Sequence, residues 1–144
     1  MLFRSAKMRF AAAQLDAYLA DDLWLRNALH ANTMTTRLQE GLKSIPGIRL
    51  AGTPEANILL CHLPQLVIDG LLDQGYDFYH GRWEPGVVRF VTSFATTTHD
   101  VDELVHAVRR LTAAVIEESR SKRARTQRSP NGRRSEVACM GRVR

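Results

Sequence analysis

The chain has 144 residues, of which 44% are hydrophobic and 24% charged, and a formal net charge of +5; that bounds it at about one domain with enough apolar content for a core. Residues 118–144 carry nine Lys or Arg against two Glu, whereas residues 1–117 carry eleven Lys or Arg against thirteen Asp or Glu, so the basic balance belongs to a tail and the remainder is slightly acidic. No apolar run approaches the roughly 20 residues that span a bilayer, residues 1–7 lack the apolar segment of a signal peptide, and Cys61 and Cys139 form no CxxC pair; the expectation is a cytoplasmic protein without a disulfide framework.

From residue 8 to residue 44 there is no proline, and no glycine before Gly41. Leu15, Tyr18, Leu19, Leu23, Leu29, Met34, Leu38 and Leu42 recur at roughly helical spacing. The pattern predicts one long helical segment, bent or restarted at Asp21-Asp22, where a carboxylate can cap a new first turn. At a rise of about 1.5 Å per residue it reaches roughly 50 Å, more than the width of a compact domain of this size. Such a helix must wrap the core or lean on something outside the chain. Pro46 and Gly47 stop it.

Residues 48–50 read as a short extended piece. Residues 56–63 form a nearly continuous apolar run between Pro54 and Pro64, which predicts a strand buried on both faces, with Cys61 an inert buried thiol. Pro64 suits the first turn of a helix whose stripe is Val67, Ile68, Leu71 and Leu72 and whose end is Gly75. Residues 76–79 read as a second short strand, and residues 80–86 as a turn-rich connection. Residues 86–94 are dominated by β-branched and aromatic side chains and predict a further strand. Alternation puts Val88, Phe90 and Phe94 on one face and Val87, Arg89 and Val91 on the other. Thr97 with Asp100 forms a capping box, followed by a helix with the stripe Val101, Leu104, Val105, Val108, Leu111 and Val115. From residue 118 onward apolar residues thin out, and the composition predicts disorder.

These elements compose an α+β fold: a long N-terminal helix, then a small, largely antiparallel sheet covered by helices on one face. Three units are expected: a helical segment over 1–45, a small α+β domain over 46–117 and a disordered basic tail over 118–144. The Arg89 face of the sheet is expected to stay uncovered, and a partly apolar open face invites a partner surface.

An arginine flanked by valines on a strand calls for a carboxylate or phosphate, which its planar fork holds with two parallel hydrogen bonds. An internal Asp or Glu, or a guanidinium reaching back to solvent, also satisfies it, and on spacing alone that reading is favoured because structural ion pairs outnumber sites. Other chemistry is sparse. His30, His62, His80, His99 and His106 are scattered without ligand spacing, and no metal site is expected although His99 and His106 share a helix face. Phosphate-binding glycine motifs and a GxSxG nucleophile are absent, and Ser93 reads as structural. The tail has the charge to neutralise phosphates but no aromatic residue for stacking, so nucleic acid is not the expected partner.

Several segments resemble a known family. They are residues 7–10 with Ala13-Gln14, residues 18–28, His30-Ala31-Asn32, Glu55-Ala56-Asn57, and residues 88–97 reading VRFVTSFATT. Together, over about residues 5–116, they look like the C-terminal portion of low-specificity threonine aldolases, in the β-eliminating lyase group of fold type I pyridoxal-phosphate enzymes. The resemblance implies a small C-terminal domain joined by a long helix to a large cofactor domain, a homo-oligomer, and cleavage of a β-hydroxy-α-amino acid to glycine and an aldehyde. It implies that Arg89 grips the substrate carboxylate and that Arg9, in the Met8-Arg9 pair, approaches the cofactor phosphate, often across a subunit interface. The family's Schiff-base lysine sits in a Gly-Gly-Thr-Lys-Asn-Gly-like segment upstream of this chain's start. Lys7, Lys43 and Lys122 are the lysines present, and none has that context. No catalytic residue is therefore assigned, and the expectation is a truncated fragment, inactive alone, that does not itself bind pyridoxal phosphate. The alternative is a non-catalytic α+β module whose basic tail binds nucleic acid or another acidic partner.

Overall fold

A computed structural model describes residues 3–127, with side chains described from residue 8 to residue 125. The proline-free start of the chain is helical, but in two pieces: α1 spans Phe3–Leu19 and α2 spans Leu23–Lys43, joined by a 3-10 turn over Ala20–Asp22. The break falls at the expected aspartates, by another mechanism. Asp22 makes no side-chain cap bond. Instead Asp21 and Asp22 adopt φ of 50° and 57°, a left-handed conformation that short acidic side chains tolerate better than most. The Arg26 guanidinium donates to the Asp21 carbonyl across the elbow.

The sheet has four antiparallel strands, β1 Arg49–Leu50, β2 Ile58–His62, β3 Tyr79–His80 and β4 Val87–Val91, in the order β1-β2-β4-β3. Between β2 and β3 lies α3, Gln65–Asp73, with Pro64 at its N-cap; the last described element is α4, Thr98–Gln127. The expected capping box forms: Asp100 Oδ2 accepts from the Thr97 amide at 2.8 Å, and Thr97 Oγ1 accepts from the Asp100 amide at 3.1 Å.

Helices α2, α3 and α4 meet one sheet face. Leu59 and Cys61 of β2 lie opposite Phe90 and Val88 of β4. These four pack with Leu38, Leu42, Leu63, Val67, Ile68, Leu71, Val101, Val105 and Val108 in one buried cluster, each side chain contributing about 1.5–3 kcal/mol of burial. The second half of α2 thus contributes Met34, Leu38 and Leu42 to the core. Gly41 permits the α2–α4 approach, since a Cβ there would stand 2.6 Å from Val105 Cγ2.

Four expectations need correction. β2 is not buried on both faces: Ile58 and Leu60 are 42% and 38% exposed, because no helix among the described residues covers the outer face. The strand expected at 76–79 shrinks to Tyr79–His80, as Phe78 turns inward onto Phe90, ring centroids 5.1 Å apart. Phe94 does not share the inner face with Val88 and Phe90. β4 ends at Val91, the chain turns over residues 93–96, and Phe94 is left 68% exposed. Finally, helix continues past residue 118 to Gln127, helped by good helix formers and by a 2.6 Å Glu118–Lys122 pair one turn apart. The remainder of the expected tail, 128–144, lies outside the described residues.

Candidate functional site

Arg89 sits at the centre of β4, on the outer face, where pairing register places Leu60 of β2 on one side and Tyr79 of β3 on the other. Its Cζ stands 4.1 Å from the centroid of the Tyr79 ring and 5.8 Å from that of Trp83. Arg82 stands over the same tyrosine at 5.5 Å. The Arg89 Nε is buried without a hydrogen-bond partner. Among the described residues no Asp or Glu forms an ion pair with this guanidinium, so the internal-acid alternative is not realised.

The magnitudes show what the site lacks. A desolvated cation over an aromatic face gains up to about 2 kcal/mol, while a buried unpaired N–H costs about 1–3 kcal/mol. Stacking therefore roughly offsets the orphaned donor and leaves the remaining charge and donors of the fork available to an anion.

Arg89 and Tyr79 also line a cavity of about 450 Å³ with Tyr76, Asp77, Thr96 and Asp100. It opens because β3 covers only Val88 and Arg89 of β4. Hydrogen bonds from the Thr97 amide and hydroxyl hold the Asp100 carboxyl below its usual range, so this carboxylate stays ionised at neutral pH while capping α4.

The far end of β4 is fixed by polar contacts that no local pattern signals. Thr92 donates its hydroxyl to the Ala31 carbonyl at 2.7 Å, and the Thr35 hydroxyl lies 2.6 Å from that of Thr92. Asn57 Nδ2 donates to the Thr92 carbonyl at 2.7 Å, and the Thr92 amide to the Asn57 carbonyl at 3.1 Å. The following turn is closed by Ser93 N–H to Thr96 Oγ1 at 2.9 Å and held to α2 by His30 Nε2 at 2.8 Å from the Thr96 carbonyl. These bonds weld the strand carrying Arg89 to α2. Ser93 itself accepts from the Ala95 amide.

Arg9 is not brought to this site. It is exposed on α1, whose main packing is against α2 and the intervening turn. Lys43 is exposed in the last turn of α2, and Lys122 pairs with Glu118; neither lines the Arg89 cavity. Among the described residues no group of three His, Cys, Asp or Glu could hold a metal ion, and no helix is long and apolar enough to cross a membrane.

No protein-family model matches the chain. The low-specificity L-threonine aldolase of Pseudomonas aeruginosa is 38% identical over 105 residues, covering 73% of this chain and 30% of that enzyme. The enzyme of the same name from a Pseudomonas species is 33% identical over 110 residues, covering 76% and 32%. The chain is a relative of the low-specificity threonine aldolases. A solved threonine aldolase from Leishmania major superposes with a TM-score of 0.60 at 29% identity, over 69% of this chain and 29% of that one. The cystine C–S lyase C-DES, in complex with its product cysteine persulfide, shares the fold at a TM-score of 0.56 and 15% identity, over 70% and 28%. The threonine aldolase relative described here therefore has the α+β architecture found in fold type I pyridoxal-phosphate enzymes, and it spans about 30% of the length of the curated aldolases it matches.

Proposed function

We propose that this chain is the carboxylate-binding part of a threonine-aldolase-like lyase that cleaves β-hydroxy-α-amino acids to glycine and an aldehyde. The observation that carries the reading is Arg89: a guanidinium on an open sheet face, stacked on Tyr79, without an acid partner among the described residues. In a chain related to threonine aldolases, the anion that completes it is the substrate carboxylate, held by two parallel charge-assisted hydrogen bonds.

The described residues do not fit a covalently held pyridoxal phosphate, since neither Lys43 nor Lys122 lines the Arg89 cavity. The reading therefore gives this chain the task of binding and orienting substrate. The aldehyde-bearing cofactor belongs to a part of the enzyme matching the remainder of the relatives' length. Arg9 is read as reaching the cofactor phosphate from exposed α1 in the complete assembly. A homo-oligomer in the cytoplasm is the setting this reading implies.

The test is a chimera in which residues 8–116 replace the matching segment of the Pseudomonas aeruginosa aldolase. Glycine should form from threonine, and Arg89→Ala should raise KM about 100-fold, the cost of roughly 3 kcal/mol for breaking a desolvated charge pair. An Arg89→Ala chimera with unchanged KM and kcat would sink the reading. The purified chain alone should show no Schiff-base absorbance at Lys43 or Lys122 characteristic of an enzyme-held cofactor, and with pyridoxal phosphate and threonine it should release no more glycine than a protein-free control.

A further inference from the structure

The Arg89 guanidinium is presented unevenly. Its Nε is out of reach of solvent and has no hydrogen-bond partner, whereas the terminal nitrogens are not among the buried unpaired atoms and make no bond to another described residue. The accessible edge of the fork is thus the one formed by its two terminal nitrogens. What holds the fork in that attitude is not a hydrogen bond. It is the face of Tyr79, 4.1 Å away and directly opposite Arg89 in the β3–β4 register. Leu60, opposite Arg89 on β2, supplies an apolar wall on the other flank.

We propose that Tyr79 is a positioning residue for the carboxylate clamp: its ring face orients the Arg89 guanidinium so that a carboxylate is received end-on by the two terminal nitrogens. The inference rests on the carboxylate role given to Arg89 above. The ring attracts the cation through its quadrupole and limits rotation of the flat group, so less freedom is lost when the anion arrives. The ring, not the phenolic hydroxyl, does the positioning. An oxygen is therefore dispensable at residue 79 and an aromatic face is not.

The experiment uses the full 144-residue chain, with arginine side-chain nitrogen signals followed by NMR during titration with sodium acetate and with glycine. In the wild-type protein the Arg89 Nε proton should lie upfield, under the ring, and its terminal nitrogens should respond to carboxylate more than Nε does. Tyr79→Phe should keep the upfield signal and the affinity. Tyr79→Leu should abolish the upfield signal and weaken carboxylate binding about fivefold, the equivalent of one cation–π contact. If Tyr79→Leu fails to fold, Tyr79→Phe decides: weakened binding in that variant overturns the proposal, and unchanged binding with the upfield signal retained supports it. Tyr79→Leu binding as tightly as wild type, or Nε responding most, overturns it as well. Arg89→Gln separates the two readings. If it binds carboxylate as well as wild type, the role of Arg89 fails and Tyr79 falls with it; if it loses binding while Tyr79→Leu does not, Tyr79 alone is refuted.

Discussion

The hydroxyls of Thr35 and Thr92 meet at 2.6 Å inside the protein, 57 residues apart in sequence. Each hydroxyl has one proton. Thr92 makes the shorter of the two hydroxyl contacts to the Ala31 carbonyl, 2.7 Å against 3.2 Å from Thr35, which leaves the Thr35 proton for Thr92. This chain of donors joins α2 to the end of β4, and it sets an order of importance between the two threonines.

Thr92→Val should destabilise the protein by about 2 kcal/mol, because beyond its intrahelical amide bond it leaves the Ala31 carbonyl with the longer 3.2 Å contact from the Thr35 hydroxyl. Thr35→Val keeps the better bond to Ala31 and should cost about 1 kcal/mol. Urea unfolding of the two variants checks both the values and their order.

Gly86 precedes β4 with φ of 85°, and a Cβ there would lie 2.7 and 2.8 Å from two ring atoms of His62 and 2.9 Å from the Leu63 carbonyl oxygen. Gly86→Ala combines left-handed backbone strain with a clash against main chain. It should cost about 3 kcal/mol, read as a lower denaturation midpoint with an unchanged m-value.

Burial pushes the Cys61 thiol up to about 12. A thiol reagent at pH 8 should leave Cys61 unlabelled in a Cys139→Ser background and label it only as denaturant unfolds the chain. The unfolded thiol ionises near pH 8.5, so this group's contribution to stability is complete below that pH and declines as pH rises toward its folded value. Rapid labelling without denaturant would contradict the buried position.

Arg37 grips Asp102 with two bonds of 2.8 and 2.7 Å, tying α2 to α4 at the surface. The hydrogen bond from Arg37 holds the Asp102 carboxyl below its ordinary range. A depressed carboxyl stabilises above its unfolded pKa, near 3.9, and loses that contribution as pH falls through the lower folded value. Arg37→Gln should therefore be less stable than wild type at pH 7 and nearly equal to it at the acid end. Exposure and salt keep the difference small. Thermal melts across pH 2.5–7 would show whether the two curves converge.

What the sequence made readable followed from periodicity and local chemistry. The stripe on α4, the Thr97–Asp100 box and the alternation placing Arg89 opposite Val88 and Phe90 all depend on neighbours a few residues away. The outer exposure of Leu60 was not readable, because an apolar run looks alike whether one face or both are covered. Nor was the Thr35–Thr92 bond, which needs the fold to bring two ordinary hydroxyls together. Tyr79 and Trp83 lay within ten residues of Arg89 in a stretch rich in aromatic rings, and that clustering was the available signal for a stacked guanidinium.

Two adjacent aspartates in the left-handed region make the elbow after α1 a loaded spring. Each such residue costs about 1–2 kcal/mol, while a straight continuation of α1 into α2 would cost neither and would gain further helical hydrogen bonds. The bend at Asp21-Asp22 is therefore a cost that contacts at the elbow must offset, the bond from the Arg26 guanidinium to the Asp21 carbonyl among them.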